Sequence, residues 1–141
     1  MKYVIDSSVA FKWEVPEPHS DKALQLRNDY ENGVNDLFAP DIFPIEIGHA
    51  LTRAERQKRI PVGAAVSLVA DVLQTLPDLH DSLPFLLRAA DISSNARIGM
   101  YDCVYVALAE REQCELVTAD DKLVRILQPT FPFIRHLSTF P

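Results

Sequence analysis

Short apolar runs alternate with longer segments of helical periodicity along this chain, and this alternation restricts the possible folds more than any other feature. The runs Met1 to Ile5 and Glu115 to Thr118 have the length and composition of buried strands. The segments between such runs carry apolar residues at the spacings of amphipathic helices. Strands that alternate with helices predict right-handed crossovers and a parallel sheet covered on both faces, which is an α/β fold.

The same pattern predicts where the individual elements lie. Strands are expected at residues 1–5, 37–39, 77–80, 115–118 and 133–137. Helices are expected at residues 9–13, 20–31, 42–59, 61–76, 83–97, 101–113 and 121–127. Ser7 and Ser8 are the expected caps of the first helix, and Asp41 is the expected cap of the third. No repeat, linker or low-complexity tract interrupts the pattern, so residues 1–141 are expected to form a single domain.

The composition is that of a globular protein. Hydrophobic residues make up 48% of the 141 residues and charged residues 24%. The formal net charge of −6 argues against a broadly basic nucleic-acid binder. It does not argue against a nuclease, because a bound divalent cation can supply the positive charge that the side chains lack.

The cysteines and the N-terminus indicate a cytoplasmic protein. Cys103 and Cys114 lie eleven positions apart. On one helix they are separated by about 16 Å, which is too far for a disulfide. Neither has the paired spacing of a zinc site. No run approaches transmembrane length, and no signal-peptide pattern precedes the first strand.

Four acidic residues occupy positions where a carboxylate is hard to explain as surface decoration. Asp6 directly follows the first strand, and Asp120 follows the fourth. Glu46 lies on or beside the apolar face of its helix, and Asp102 opens the helix at residues 101–113. Carboxylates in such settings are usually paired or bound to a metal, and parallel sheets bind ligands beyond the carboxyl ends of their strands. The pattern favours a hard-cation site lined by oxygens.

Each acid also has a purely structural explanation. Asp6 could be a helix N-cap, and Glu46 could be a surface residue of an amphipathic helix. Asp102 lies in a first helical turn, where the helix dipole favours a carboxylate without any function. Asp120 or Asp121 could cap the helix at residues 121–127. The joint placement of the acids, and no single one of them, favours the metal site.

Other side chains are secondary candidates. The hydroxyl of Ser8 would support the ligand Asp6, and Thr118 lies near Asp120 in the sequence. The histidines show no metal-ligand spacing. The basic residues at 53–59 are expected to form a solvated helix end, with an RNA contact left open. Three aromatic residues are expected to be packing residues: Trp13, Tyr101 and Tyr105.

Four motifs can be recognised in order along nearly the whole chain. They are Asp6-Ser7-Ser8-Val9-Ala10-Phe11-Lys12-Trp13, Ala39-Pro40-Asp41 with Glu46 and Ala50-Leu51, Tyr101-Asp102 followed by Tyr105-Val106-Ala107-Leu108-Ala109, and Leu116-Val117-Thr118-Ala119-Asp120. Together they resemble the motifs of PIN-domain ribonucleases, especially the VapC-type toxins of toxin–antitoxin pairs.

The resemblance implies a three-layer α/β/α sandwich with a central parallel sheet and an acidic pocket for Mg²⁺ or Mn²⁺. The implied activity is metal-dependent hydrolysis of RNA by an endoribonuclease. The resemblance also implies a homodimer and a cognate antitoxin whose C-terminal segment wraps the toxin. The implied catalytic and metal-binding residues are Asp6, Glu46, Asp102 and Asp120, supported by Ser8, with Asp121 either assisting or capping a helix.

Two other functions are compatible with a small acidic α/β domain. A receiver-like phosphoacceptor would also use an aspartate-rich Mg²⁺ site, but receivers tend to carry a pair of acids where Asp6 stands alone. Glu46 and Asp102 also fall on predicted helices and not at strand ends. A catalytically weak PIN-like module could act mainly through its antitoxin and promoter DNA. The intact set of four acids argues against that possibility.

Overall fold

The computed structural model describes residues 1–141. Its strands are β1 (Lys2–Ile5), β2 (Asp36–Pro40), β3 (Asp78–His80), β4 (Glu115–Thr118) and β5 (Ile134–His136). They form one sheet in the order β3-β2-β1-β4-β5, and every neighbouring pair is parallel. β1 is the central strand, where Val4 is in register with Phe38 on one side and Leu116 on the other.

Helices cover both faces of this sheet. They are α1 (Ser7–Glu14), α2 (Ser20–Glu31), α3 (Phe43–Arg56), α4 (Ala64–Leu73), α5 (Leu86–Ala96), α6 (Met100–Glu112) and α7 (Asp121–Leu127). The chain moves from β1 to β3 in one direction and from β3 to β5 in the other. Right-handed crossovers therefore place α1–α4 on one face and α5–α7 on the opposite face. The predicted three-layer α/β/α sandwich is confirmed.

Helix α6 lies at the centre of the hydrophobic core. Its residues from Cys103 to Ala109 are all buried, and the helix contacts β1, β2 and β4. A helical segment that is buried on all sides needs apolar residues at every position and not only along one stripe. This burial explains why the third motif of the chain is a continuous apolar run.

Two predicted helix caps differ in the structure. The cap of α1 is Asp6, whose Oδ1 accepts a hydrogen bond from the Ser8 N–H at 3.1 Å, and not Ser7 or Ser8. Asp41 does not cap α3, because its Oδ2 accepts a hydrogen bond from the N–H of Ser82 at 3.3 Å instead. A side chain that is able to cap a helix can instead form its hydrogen bond with a segment distant in sequence.

Most element boundaries agree with the prediction within a few residues. The largest difference is α4, which begins at Ala64 although Pro61 was expected to open it. Gly63 stands before it with a φ of 84°, a left-handed conformation that glycine adopts without strain. Cys103 and Cys114 are free thiols, as expected. None of the helices combines the length and apolarity needed to cross a bilayer.

Candidate active site

The four candidate carboxylates all lie at helix N-termini along the carboxyl edge of the sheet, and they are called the acid quartet below. Asp6 caps α1 directly after β1, and Asp120 caps α7 after β4. Glu46 and Asp102 lie in the first turns of α3 and α6. β1 and β4 are neighbours at the point where the strand order reverses, which is where such sheets bind ligands. The partial positive charge of each helix N-terminus favours a carboxylate there.

Asp6 is held rigidly by its neighbours. Asp6 and Thr118 are the only polar or charged residues among the buried ones. The hydroxyl of Thr118 donates to Asp6 Oδ2 at 2.5 Å, and the hydroxyl and N–H of Ser8 both donate to Asp6 Oδ1. A carboxylate offers about four acceptor positions, so these three donors leave one free. Asp6 is therefore fixed in orientation and retains the capacity to bind a further group.

The same two hydroxyls hold the segment after β4. The N–H of Ala119 donates to Ser8 Oγ at 2.9 Å, and the N–H of Asp120 donates to Thr118 Oγ1 at 3.0 Å. Each hydroxyl thus donates its only hydrogen bond to Asp6 and accepts a hydrogen bond from a backbone N–H. Ser8 and Thr118 thereby join the two strand ends that carry Asp6 and Asp120.

Burial and like charges raise the pKa of Asp6. Removal from water raises the pKa from its ordinary 3.8 to about 7, and the neighbouring charges of Asp102 and Asp120 act in the same direction. The hydrogen bonds from Ser8 and Thr118 oppose this effect without cancelling it. The site therefore resists the accumulation of negative charge, and a nearby cation would relieve that resistance.

Two other members of the quartet are perturbed in the same direction. Burial raises the pKa of Asp102, and the charge of Asp120 raises it further. The charge of Lys122 acts in the opposite direction. Burial also raises the pKa of Glu46, where Tyr105 opposes the shift and Asp102 adds to it. These mutual influences mean that Asp102 lies within electrostatic reach of all three other quartet members. Acids from four separate elements are thus brought together by the fold.

No cationic side chain neutralises the quartet through an ion pair. None of its members takes part in any ion pair of the structure. Glu46 Oε1 and the Tyr105 hydroxyl are both buried without a hydrogen-bond partner. The two groups influence each other's pKa but do not meet in hydrogen-bond geometry. A buried, unpartnered carboxylate oxygen is costly unless a ligand completes it.

The chemistry of the quartet fits a hard divalent cation, although its present spacing is not that of a closed coordination shell. As the side chains stand, no group of three or more His, Cys, Asp or Glu residues is placed to hold a metal ion. The fit rests on the donor set, because carboxylate oxygens are the ligands that Mg²⁺ and Mn²⁺ prefer. The unpartnered oxygen of Glu46 is available to such an ion.

A cleft of about 1020 Å³ opens in front of these residues. Glu46, Asp120 and Ser8 contribute to its lining. Tyr101 also lines it and is 64% exposed, so the expectation that Tyr101 packs in the core is wrong. Its position at the exposed start of α6, one residue before Asp102, turns its side chain outward while the following turns are buried.

Comparison with known proteins identifies the family. The family model of the PIN domain matches residues 3–127. This chain belongs to the PIN domain family. A curated relative in sequence is Ribonuclease VapC3 of Pyrobaculum aerophilum, which is 26% identical over 125 residues, or 87% of this chain and 92% of that protein.

Solved structures share the PIN fold over almost the entire chain. PAE2754 from Pyrobaculum aerophilum superposes with a TM-score of 0.70 at 22% identity, covering 99% of this chain and 94% of that one. VapBC2 from Rickettsia felis, solved with a DNA fragment from its promoter, gives a TM-score of 0.65 at 16% identity. The match covers 96% of this chain and 98% of that one. At these identities the structural matches establish the architecture.

The two adjacent aspartates after β4 have different surroundings in this PIN domain. Asp120 is the cap of α7, because its Oδ1 accepts hydrogen bonds from the N–H groups of Lys122 and Leu123. Asp121 is 93% exposed in its side chain, and its Oδ1 lies 2.9 Å from Nε2 of His136. Of the two candidate caps, Asp120 is therefore the one that caps, while its Oδ2 stays free for another partner.

Two cationic side chains near the acids were not predicted from the sequence. Lys122 lies close enough to Asp102 to influence its pKa, and Lys12 lines the cleft. Lys12 was detectable, because it is the one charged residue between Val9 and Trp13 and follows Ser8 by four positions on the same helical face. Lys122 had no such signal, because it lies on α7 and Asp102 lies on α6, and no local pattern shows that these two helices place the residues close together.

Proposed function

We propose that this PIN protein is a divalent-cation-dependent endoribonuclease that hydrolyses RNA phosphodiester bonds and acts as the toxin of a toxin–antitoxin pair. The observation that carries the proposal is the convergence of four carboxylates at the ligand-binding edge of the sheet without an ion-pair partner. The relative named Ribonuclease VapC3 supports RNA as the substrate class. A receiver-like function receives no comparable support, because Glu46 and Asp102 stand on helices and not at strand ends.

In this proposal the acid quartet holds Mg²⁺ or Mn²⁺. A bound divalent cation orients a water, lowers its pKa and stabilises the charge that develops on the scissile phosphate. Asp6, immobilised by Ser8 and Thr118, would provide the fixed ligand, and Asp120 Oδ2, which accepts no hydrogen bond, would provide another. Glu46 Oε1 is free to bind the cation or to accept a hydrogen bond from the water. Asp121 assists only if its side chain leaves His136.

Direct attack by water is favoured over a covalent intermediate. The hydroxyls of Ser8 and Thr118 donate to Asp6, which in this proposal binds the cation and is not available as their base, and each hydroxyl oxygen also accepts a backbone N–H. Cys103 is buried, and burial raises the pKa of its thiol to about 11, which leaves almost no reactive thiolate. The chain therefore contributes binding, orientation and charge, while water is the nucleophile.

The decisive experiment is cleavage of a labelled RNA that contains single-stranded and loop regions. The purified protein should cleave it with Mg²⁺ or Mn²⁺ and stop when EDTA is added. Asp6→Asn should abolish cleavage. Asp21→Asn is the matched control, because Asp21 is exposed on α2 and forms no ion pair. Absence of metal-dependent cleavage, or full activity of Asp6→Asn, would refute the proposal.

We also infer a cognate antitoxin, a homodimer, a cytoplasmic location and action of residues 1–141 as one domain. Protein partners would cover exposed apolar side chains, and two pairs of such side chains lie four positions apart in the sequence. Val62 and Val66 are 94% and 79% exposed, and Leu83 and Leu87 are 71% and 87% exposed. Light scattering of the protein alone should give twice the monomer mass. Growth arrest on expression, reversed by co-expression of the antitoxin, would test the pairing.

A further inference from the structure

One face of α3 leads from the acid quartet along the cleft. Glu46, His49 and Arg53 occur at positions i, i+3 and i+7, and all three line the cleft. The helical rise places the backbone of Arg53 about 10 Å from that of Glu46 along the axis. Arg56 lies on the same helix but does not line the cleft. The helix thus presents an acid at the reactive end and a cation further along.

The cations of the cleft differ in how far they are already neutralised. Lys12 and Arg59 both pair with Glu17, at 3.2 Å and 2.6 Å. The guanidinium of Arg59 also lies 5.3 Å from the ring centre of Phe11. Arg53 is exposed and takes part in no ion pair of the structure. Arg53 is therefore the cation of the cleft whose charge remains available.

We propose that Arg53, with His49 beside it, binds a phosphate of the RNA strand that flanks the phosphate held at the acid quartet, an inference that rests on the proposed ribonuclease function. The planar guanidinium forms two parallel hydrogen bonds to a phosphate, and the imidazole of His49 supplies a further donor. Both residues are positioning residues, because they contact the strand away from the reacting atoms.

Continuity with the reactive end favours RNA over an acidic protein segment as the occupant of this face, because a strand cleaved at the quartet continues along the cleft past Arg53. The chain has a net charge of −6, and the quartet repels a polyanion at the reactive end. A nearby unpaired arginine offsets that repulsion at a fixed distance from the cleavage site. Since Arg53 contacts the strand equally before and during the reaction, it contributes uniform binding and leaves the chemical step unchanged.

The test compares Arg53→Gln with Arg56→Gln. Both changes remove one charge from an exposed position of α3, but only Arg53 lines the cleft. Arg53→Gln should raise KM for single-stranded RNA about three- to tenfold with kcat unchanged, while Arg56→Gln changes neither. RNA affinity, measured in an Asp6→Asn background that prevents cleavage, should show a salt slope reduced by about 0.7 for Arg53→Gln.

Arg53→Lys provides the rescue. It retains the charge, so it should restore the salt slope, although it loses the paired hydrogen bonds. Equal behaviour of Arg53→Gln and Arg56→Gln, or no recovery in Arg53→Lys, would overturn the inference and leave the ribonuclease function standing. Weaker binding of an antitoxin peptide with unchanged RNA binding would overturn it as well. If the wild-type protein neither binds nor cleaves RNA, the proposed function and this inference fail together.

Discussion

The protein contains two clusters of carboxylates, and only one of them includes its own cation. In the arginine cluster, Arg27 on α2 is surrounded by Glu14 from α1, Glu31 from α2 itself and Asp71 from α4. Its guanidinium lies 3.0 Å from Asp71, 3.7 Å from Glu14 and 3.4 Å from Glu31. The acid quartet has no such partner. The protein therefore neutralises one group of acids internally and leaves the other incomplete.

This difference separates structural from functional charge. Arg27 also donates to the backbone carbonyl of Asp71 and to Thr75 Oγ1, both at 3.0 Å, and lies 5.0 Å from the ring centre of Trp13. These contacts join three helices, and removal of the arginine would leave acids unpaired. The quartet is tied together only by hydroxyl and backbone donors around Asp6. Glu46, one of its perturbed acids, lines the cleft together with Asp120, as expected of a site that binds a cation from solution.

The largest expected effect is on catalysis. Asp102→Asn should lower the rate of RNA cleavage by about a thousandfold, equivalent to about 4 kcal/mol of activation free energy. The free energy of unfolding should not fall, because the change removes a charge that repels its neighbours. Initial rates and urea denaturation measure the two quantities. A loss of stability without a loss of activity would make the quartet a structural cluster like the one around Arg27.

The arginine cluster should show the opposite behaviour. Arg27→Met leaves Glu14 and Asp71 without their cation and should reduce the free energy of unfolding by about 3 kcal/mol. The rate per folded molecule should remain near that of the wild type. Arg125→Met is the control, since Arg125 is exposed and forms no ion pair, and it should change stability by less than about 0.5 kcal/mol. Loss of catalysis in folded Arg27→Met would break the distinction.

Divalent cations should stabilise the protein through the quartet alone. At a hundred times its dissociation constant, Mg²⁺ or Mn²⁺ should raise the free energy of unfolding by about 2.7 kcal/mol. Thermal denaturation with and without the cation measures this increment. It should persist in Arg27→Met and shrink strongly in Asp102→Asn. An equal increment in both variants would place the cation elsewhere.

The smallest predicted effect is a pH dependence in the arginine cluster. Burial, reinforced by Asp71, raises the pKa of Glu14 from its ordinary 4.5 to about 7 in the folded protein. Because the folded pKa lies above the unfolded value, folding favours the protonated form, and stability decreases as the pH rises from 4.5 to 7. Glu14→Gln removes this dependence and should be more stable than the wild type by about 1 kcal/mol at pH 8.

Denaturation at pH 5 and pH 8 checks this last prediction. At pH 5 the wild type already carries a protonated Glu14, so the two proteins should differ little. The difference between them, and not the slope of either alone, is the relevant quantity, because burial raises the pKa of Asp6 as well. A variant less stable than the wild type at pH 8 would show that the Glu14 charge contributes favourably to the cluster.

Local sequence was sufficient wherever one element determines the outcome. The strand at Glu115–Thr118 and the helix at Asp121–Leu127 have the predicted bounds, because an apolar run, or a cap beside an apolar stripe, is a signal contained within the segment itself. The placement of Asp6 and Asp120 at one edge also followed from the sequence, since parallel strands share their carboxyl edge.

Long-range contacts account for the two side chains whose surroundings were predicted wrongly. Asp41 was expected to cap α3, but the N–H of Ser82, about 40 residues away, takes its carboxylate. Tyr101 was expected to pack, but the orientation of α6 exposes it to the cleft. No local pattern contains the position of a partner that comes from another part of the chain.

The sequence by itself determined the layers, the order of the elements and the acids that end or begin them, because periodicity and capping act within a few residues. Only the tertiary structure decided which charges are neutralised. Arg27 is placed among acids of three helices, whereas the acid quartet is gathered at a strand edge without an ionic partner. Ion pairing depends on distances between elements, and those distances exist only after the sheet and helices have packed.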